Sequence, residues 1–507
     1  MNKLLFGDNL KWLRDTKIFP DASVDLIYLD PPFNSNADYN LLFREDSGET
    51  SQAQFHAFTD TWNWADAAQT YREFIETCDR PAAVDMLEAL QSFLKTSPMM
   101  AYLAMMAPRL VELHRVLKST GSLYLHCDPT ASHYLRMLLD GIFGKQNFRN
   151  EIIWYYYNKM HDRRKKLFPK ATDTIFFYVK DVTSDFTFHQ LKEMRDEPVK
   201  QLLRKKVAGV MVNVKDEAGH VIYRMKEDRT LDNVWRIPCL QPAAAERLDY
   251  PTQKPQRLLE RIIEASSNPG DLILDPFCGC GTTVHAAQKL KRRWIGIDVT
   301  YLAINLIKIR LQDAFGDDIQ IEERGQPTDF KGAKALAELD KWQFQQWALS
   351  LIRARPLKDG DGKGADRGVD GFLAFYDYPV EAEKISAKKI AIPRRKILVQ
   401  VKGGHVERGD VTKLLGDVNN QGFASGVFIT LEPPTRQMRI EEADAGNFKV
   451  HIREDGIVTE KSFPKIQILT VEKLMLGTER LNAPPRINLF AKAEVENISG
   501  KQEGLNL

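Results

Sequence analysis

At 507 residues the chain is longer than one hydrophobic core usually spans, so two or more domains are expected. A composition of 43% hydrophobic and 28% charged residues excludes wholesale disorder, and a formal net charge of +2 decides nothing about partners, because acids elsewhere can mask a basic face. No apolar run is long enough to span a bilayer and no charged-then-apolar leader opens the chain, so a cytoplasmic protein without membrane contact is expected.

In chain order, short apolar runs bounded by turn residues alternate with helical patterns, which predicts an α/β fold. Strands are expected at Lys3 to Phe6, Leu26 to Leu29, Ser122 to His126, Ile152 to Tyr156, Ile175 to Val179, Leu272 to Leu274 and Trp294 to Ile297. Leu103, Met106, Leu110, Leu113 and Leu117 at helical spacing predict a helix over about 99–117. From about 181 to 233 the pattern turns polar and irregular and reads as an insertion with its own task. Periodicity restarts after Arg324, with a helix over about 332–353 and strands at 371–376, 397–401 and 426–430; the boundary falls near 327 and a loose tail begins near 482. Cys78, Cys127, Cys239, Cys278 and Cys280 are scattered, which fits free thiols in a reducing compartment, and no Cys or His pair at zinc spacing accompanies Cys278 and Cys280.

Three segments carry chemistry in the first part. In Asp30-Pro31-Pro32-Phe33 the prolines end the strand and leave a carboxylate on a stiffened turn. In Asp275-Pro-Phe277-Cys-Gly279-Cys-Gly281-Thr282 a strand runs into an acid, a glycine turn and a helix N-terminus, the build of a cofactor pocket. A second strand then ends in Asp298, where a carboxylate can take both hydroxyls of a ribose. Taken singly, Asp30 fits an ordinary turn, and Asp275 and Asp298 fit helix caps. The basic stretch from Lys159 to Lys170, following Trp154-Tyr155-Tyr156-Tyr157, pairs cations with rings as a nucleic-acid surface does, and equally fits a solvated loop.

Asp30-Pro-Pro-Phe33, Pro251-Thr252-Gln-Lys254-Pro255 and Asp275-Pro-Phe-Cys-Gly-Cys-Gly281 together resemble a DNA amino-methyltransferase of the β class, with catalytic motif first and cofactor motif last. The resemblance implies a Rossmann-like domain over 1–327 that uses S-adenosyl-L-methionine on double-stranded DNA, with target recognition in about 158–235. It implies that Asp275, Phe277, Gly279, Gly281 and Thr282 form the pocket for the amino-acid end of the cofactor, that Asp298 takes the ribose, and that Asp8, in Gly7-Asp8-Asn9, lies near the adenine. Thr252 and Lys254 would close over the methionine portion. Asp30 and the Pro31 carbonyl would accept the two hydrogens of an exocyclic amine, Pro32 would help hold them still, and Phe33 would stack on a base turned out of the duplex. An aspartate before Pro-Pro favours adenine N6; cytosine N4 stays open.

In the second part, Asp370 precedes one strand, while Gln400 and Lys402, two apart on another, face the same side. Asp366 and Asp370 equally fit a shaped turn, and Lys402 an exposed strand cation. With Gly426-Val-Phe-Ile-Thr430 the pattern resembles Mrr-like members of the PD-(D/E)xK nucleases, which implies a second α/β domain over 328–481, with 482–507 a tail. Asp370 and Gln400 would hold Mg²⁺, and Lys402 would orient water or offset developing charge. Gln345 and Gln346 stand where relatives often carry an acid. The alternatives are a C-terminal module that only binds DNA, and a nucleic-acid sensor without catalysis. A homodimer is left open.

Overall fold

The structure is a computed structural model that describes residues 1–32, 64–159, 166, 168–207, 209–241, 244, 246–248, 250, 252–356, 369–379, 392–454 and 457–487. Phe33, Pro251 and Asp366, and 160–165 of the basic stretch, lie outside the described residues.

The first strands in chain order are β1 (Asn2–Phe6), β2 (Val24–Leu29), β3 (Leu117–Cys127), β4 (Phe148–Tyr155) and β5 (Thr172–Val179). After them come β6 (Lys192–Leu202), β7 (Arg204–Val207), β8 (Val210–Asn213), β9 (Tyr223–Thr230), β10 (Val234–Arg236), β11 (Leu272–Asp275), β12 (Arg293–Asp298) and β13 (Ile321–Arg324). Nine of them form one sheet in the order β10-β4-β5-β3-β2-β11-β12-β1-β13. Its centre is parallel, and β5 runs antiparallel to both β3 and β4.

Helices cover both faces, which is why β2 and β11 read as nearly unbroken apolar runs rather than alternating ones. On one face lie α1 (Asn9–Leu13), α2 (Trp64–Thr77), α3 (Pro81–Leu94), α4 (Pro98–Val116) and α5 (Ser132–Phe143). On the other lie α6 (Gln256–Ser266), α7 (Thr282–Lys289) and α8 (Tyr301–Phe315). Helix α4 starts where Ser97 accepts from the Met100 N–H at 3.3 Å with Pro98 in the first turn, and it ends where the β-branched Val116 leads into β3. In α6, Leu258, Leu259, Ile262 and Ile263 are fully buried, each stabilising the helix on the sheet by ~1.5–3 kcal/mol.

The second sheet comprises β14 (Arg355–Pro356), β15 (Gly371–Tyr376), β16 (Arg394–Lys402), β17 (Ser425–Thr430) and, after the ribbon β18 (Asn447–Glu454) and β19 (Ile457–Pro464), β20 (Ile466–Thr470), in the order β14-β15-β16-β17-β20. The helix expected over 332–353 is two, α9 (Phe330–Leu339) and α10 (Lys341–Leu351). Asp340 breaks it: its carboxylate accepts from the Gln343 N–H at 3.0 Å and starts a new helix there.

The interval read as irregular holds two antiparallel ribbons, β6–β9 and β7–β8. Their residues are almost all exposed on both faces, so no core imposes a period-two apolar pattern that a sequence could display.

Candidate functional site

Parallel pairing brings the acids of the first part to one sheet edge. Leu274 lies opposite Ile27, Gly296 opposite Asp275, and Phe6 opposite Asp298, so Asp30, Asp275, Asp298 and the Gly7–Asp8 turn all sit beyond the carboxyl ends of neighbouring strands. Between Asp275 and α7 the chain turns tightly. Gly281 has φ +77°, and a Cβ there would meet Ile307 Cγ1 at 2.6 Å, so the residue is held to glycine twice over. The Gly279 N–H donates to Asp298 Oδ2 at 2.9 Å, and the Thr300 N–H and hydroxyl donate to Oδ1 at 3.0 and 2.9 Å.

Burial pushes the Asp298 carboxyl up to about 6 despite those bonds, and pushes Asp275 up to about 7 despite bonds from Thr283 and the Phe277 N–H. Among the described residues neither acid has a cation beside it, so both are buried acceptors short of positive charge. Asp8 caps α1 through the Leu10 N–H at 3.0 Å and pairs with Arg109 at 2.8 Å. Thr252 is exposed, and the buried Thr282 hydroxyl donates to the Lys254 carbonyl at 3.4 Å.

Asp30 is mostly buried, with a side-chain exposure of 14%. Its Oδ2 accepts from the Lys254 ammonium, and its Oδ1 is buried and meets no hydrogen-bond donor among the described residues. Behind it stand three polar groups that sequence reasoning did not single out: Tyr28, His126 and Asp173. His126 is fully buried; Nδ1 lies 2.9 Å from the Tyr28 hydroxyl and 3.9 Å from Asp30 Oδ1, and Nε2 lies 3.4 Å from Asp173 Oδ2. Tyr156 donates to Asp173 Oδ1 at 3.2 Å. Burial raises the Asp173 carboxyl, but the bond from His126 and the charges of His126 and Lys254 outweigh it and hold the group below its ordinary range. Burial, then the negative charge of Asp30, pushes the Tyr28 hydroxyl well up, so it stays a neutral phenol. The available signal was position: His126 sits near the end of the strand neighbouring β2, where Leu125 pairs with Leu29.

The aromatic run divides by strand alternation. Trp154 and Tyr156 point into the core, whereas Arg236 lies over the rings of Tyr155 and Tyr157 at 5.9 and 5.6 Å.

In the second sheet, Asp370 is tied to β16: its N–H donates to the Val399 carbonyl at 3.0 Å and its Oδ2 accepts from the Val401 N–H at 2.6 Å. That sets the carboxylate beside Gln400, whose Oε1 is buried and meets no donor among the described residues. Lys402 is gripped by both oxygens of Asp410 at 2.6 and 2.8 Å, a partner that sequence reasoning missed because it begins the next helix, α11 (Arg408–Asn420).

A parallel sheet with acids and a glycine turn along its carboxyl edge defines a nucleotide-cofactor enzyme fold. Residues 24–308, more than half of the chain, match the DNA methylase family, and the chain belongs to that family. Residues 336–454 match a restriction endonuclease family, so a second, nuclease-like domain follows the first. The type II methyltransferase M.HpaI of Haemophilus parainfluenzae is 27% identical over 322 residues, covering 64% of this chain and 78% of that one. The DNA adenine methyltransferase YhdJ of Escherichia coli K12 is 26% identical over 308 residues, covering 60% of this chain and 82% of that one. Among solved structures, the M1.HpyAVI–SAM complex is 18% identical, spans 61% of this chain and 99% of that one, and superposes with a TM-score of 0.35.

Proposed function

We propose that the chain transfers a methyl group from S-adenosyl-L-methionine to the exocyclic amine of a base turned out of duplex DNA, adenine N6 by preference, and that its second domain cuts DNA with Mg²⁺. The observation that carries the reading is Asp30: a mostly buried carboxylate with one oxygen that meets no donor among the described residues, one strand from Asp275 and two from Asp298, buried acids with no cation beside them among those residues. Those acids suit the cofactor, Asp275 its ammonium and Asp298 its ribose hydroxyls, with Gly279, Gly281, Phe277 and Thr282 shaping the turn, and Asp8 and Thr252 at its rim. When bound, the cofactor supplies a methyl group on a sulfonium, an electrophile that needs no activation by the protein.

The chain's own work is on the acceptor. An exocyclic amine is a poor nucleophile because its lone pair is delocalised into the ring. Asp30 Oδ1 and the Pro31 carbonyl accept its two hydrogens, which favours the geometry with the lone pair aimed at the methyl carbon. The amine nitrogen would take the methyl group while the carbon–sulfur electron pair stays with the departing sulfur, and its surplus proton would pass to water. Pro31 and Pro32 keep both acceptors in place, and Phe33 stacks on the base.

The preference for adenine rests on aspartate before Pro-Pro and on the adenine named for the Escherichia coli relative. Residues 158–235 are the target-recognition region. Beyond a charge-paired base, the two ribbons expose Lys200, Arg204, Lys205, Lys206 and Arg224 with Val210, Met211 and Tyr223, a surface for phosphates and base edges. In the nuclease domain Asp370 and Gln400 would hold Mg²⁺, which polarises a phosphodiester and generates hydroxide, and Lys402 offsets charge on the phosphate. The unpartnered Gln400 oxygen supports that reading, and the grip of Asp410 on Lys402 favours the alternative of a binding module.

The test incubates purified protein and labelled S-adenosyl-L-methionine with unmethylated and premethylated duplex DNA, with and without Mg²⁺, followed by base analysis and a search for breaks. Methyladenine with Mg²⁺-dependent breaks supports both halves. Methylcytosine overturns the base, methylation without breaks on either DNA overturns the nuclease, and no methylation of any DNA overturns the whole reading.

A further inference from the structure

The resemblance puts Lys254 over the methionine portion of the cofactor; its contacts also tie it to the acceptor side. Its ammonium donates to Asp30 Oδ2, while its own carbonyl accepts from Thr282 at the start of α7. Both partners are mostly buried, with side-chain exposures of 11% for Lys254 and 14% for Asp30, so water screens the pair weakly. The groups facing Asp30 are Tyr28 from β2, His126 from β3, Asp173 from β5, Lys254, and Asp275 from β11. Lys254 is the cation among them that bonds the carboxylate directly.

From this geometry, and resting on the methyl-transfer reading above, we propose that Lys254 is a positioning residue for Asp30: it holds Oδ2 so that Oδ1 faces the target amine.

Because Lys254 is tied by its backbone to the first turn of α7, the acceptor carboxylate is also registered against the glycine turn that shapes the cofactor pocket. That link places donor and acceptor relative to each other, a task in which small displacements are costly in rate.

The experiment compares parent, Lys254→Met and Lys254→Arg in single-turnover methyl transfer at saturating cofactor and DNA, with S-adenosyl-L-methionine affinity measured by calorimetry. Affinity in Lys254→Met is expected to stay within about threefold of the parent. Its rate at saturation is expected to fall by about tenfold or more, because the acceptor carboxylate is no longer held towards the amine. Lys254→Arg should return the rate towards the parent. A cofactor affinity lowered about tenfold or more with an unchanged rate at saturation, or a rate that does not change, overturns the proposal. A double-mutant cycle of Asp30→Asn and Lys254→Met in denaturant unfolding reads the coupling without catalysis. Non-additive stabilities support the pairing, and additive ones overturn it even when the parent methylates no DNA, the outcome that defeats the functional reading by itself.

Discussion

Replacing Asp275 by asparagine should change how stability depends on pH, with a direction fixed by burial. The carboxyl is pushed from its ordinary 3.8 to about 7, chiefly by burial, and further by the negative charges of Asp30 and Asp298. In the unfolded chain it ionises at its ordinary value, so between about pH 4 and about pH 7 the native state binds more protons than the unfolded one and stability falls as pH rises. A displacement of that size corresponds to ~4 kcal/mol, present in full below the window and lost above it. Asp298, raised to about 6, acts with the same sign and stays in both proteins. Asp275→Asn keeps the shape and removes the titration, so its stability relative to the parent should improve steadily with pH across the window. Urea unfolding followed by circular dichroism measures that difference. A second arm follows from the cofactor's ammonium: beside Asp275 it favours the ionised form, so cofactor binding near pH 6 should release protons from the parent and fewer from Asp275→Asn, read by calorimetry in buffers of different ionisation enthalpy. A stability difference that does not vary with pH would refute the argument, because Asp275 would then be ionised in the folded protein throughout.

On the proposed reading, in which Asp30 contacts the amine rather than the cofactor, Asp30→Ala should lower methyl transfer by at least ~10²-fold while leaving cofactor affinity intact; an unaltered transfer rate would remove Asp30 from the mechanism. Gly281→Ala must hold a left-handed φ and crowd Ile307, a cost of ~2–5 kcal/mol, whereas Gly270→Ala, at φ +90° with no atom within 4 Å, bears the first part alone. Thermal unfolding should therefore place Gly281→Ala several degrees below Gly270→Ala, and equal midpoints would mean that α8 yields at Ile307. Lys402→Ala should remove Mg²⁺-dependent breaks and leave methyl transfer unchanged; loss of both activities would show that the domains do not act independently.

What the sequence displayed and what it hid follow from how each feature is encoded. Asp30, Asp275 and Asp298 were legible because each ends an apolar run, and a strand end is marked locally by a proline, a glycine turn or a helix start. Their nearness is a property of strand order: that β2 lies beside β11, and β3 beside β2, comes from pairings of residues distant in the chain, Leu26 with Ile273 and Leu26 with Ser122. His126 and Asp173 were hidden for the same reason, as single polar residues in apolar strands that become a cluster only when β3 and β5 pair. Asp340 broke a predicted helix because apolar spacing continues across it, while its carboxylate prefers a cap to a helix interior. The β6–β9 ribbon left no apolar period because none of its residues is buried among the described residues.

The second domain is not merely attached to the first. Gln343 of α10 accepts from the Tyr301 N–H at 2.9 Å and donates to the Val299 carbonyl at 3.0 Å, so a side chain beyond residue 327 satisfies the backbone of the turn that follows Asp298. Tyr301 stacks on Phe6 at 3.8 Å, next to the Gly7–Asp8 turn, and its ring is buried in the apolar cluster of the second domain with Phe344 and Trp347. Arg355 of β14 donates to the Leu248 carbonyl at 3.1 Å, close in sequence to the segment that carries Lys254. A chain cut near 327 would expose the Tyr301 ring and leave two backbone groups of that turn without their partner, at ~1–3 kcal/mol for each group that stays buried. Loss of methyl transfer in such a fragment would therefore report on the support of the Asp298 turn as much as on any function of the nuclease-like domain, and point substitutions such as Lys402→Ala separate the two activities more cleanly than truncation.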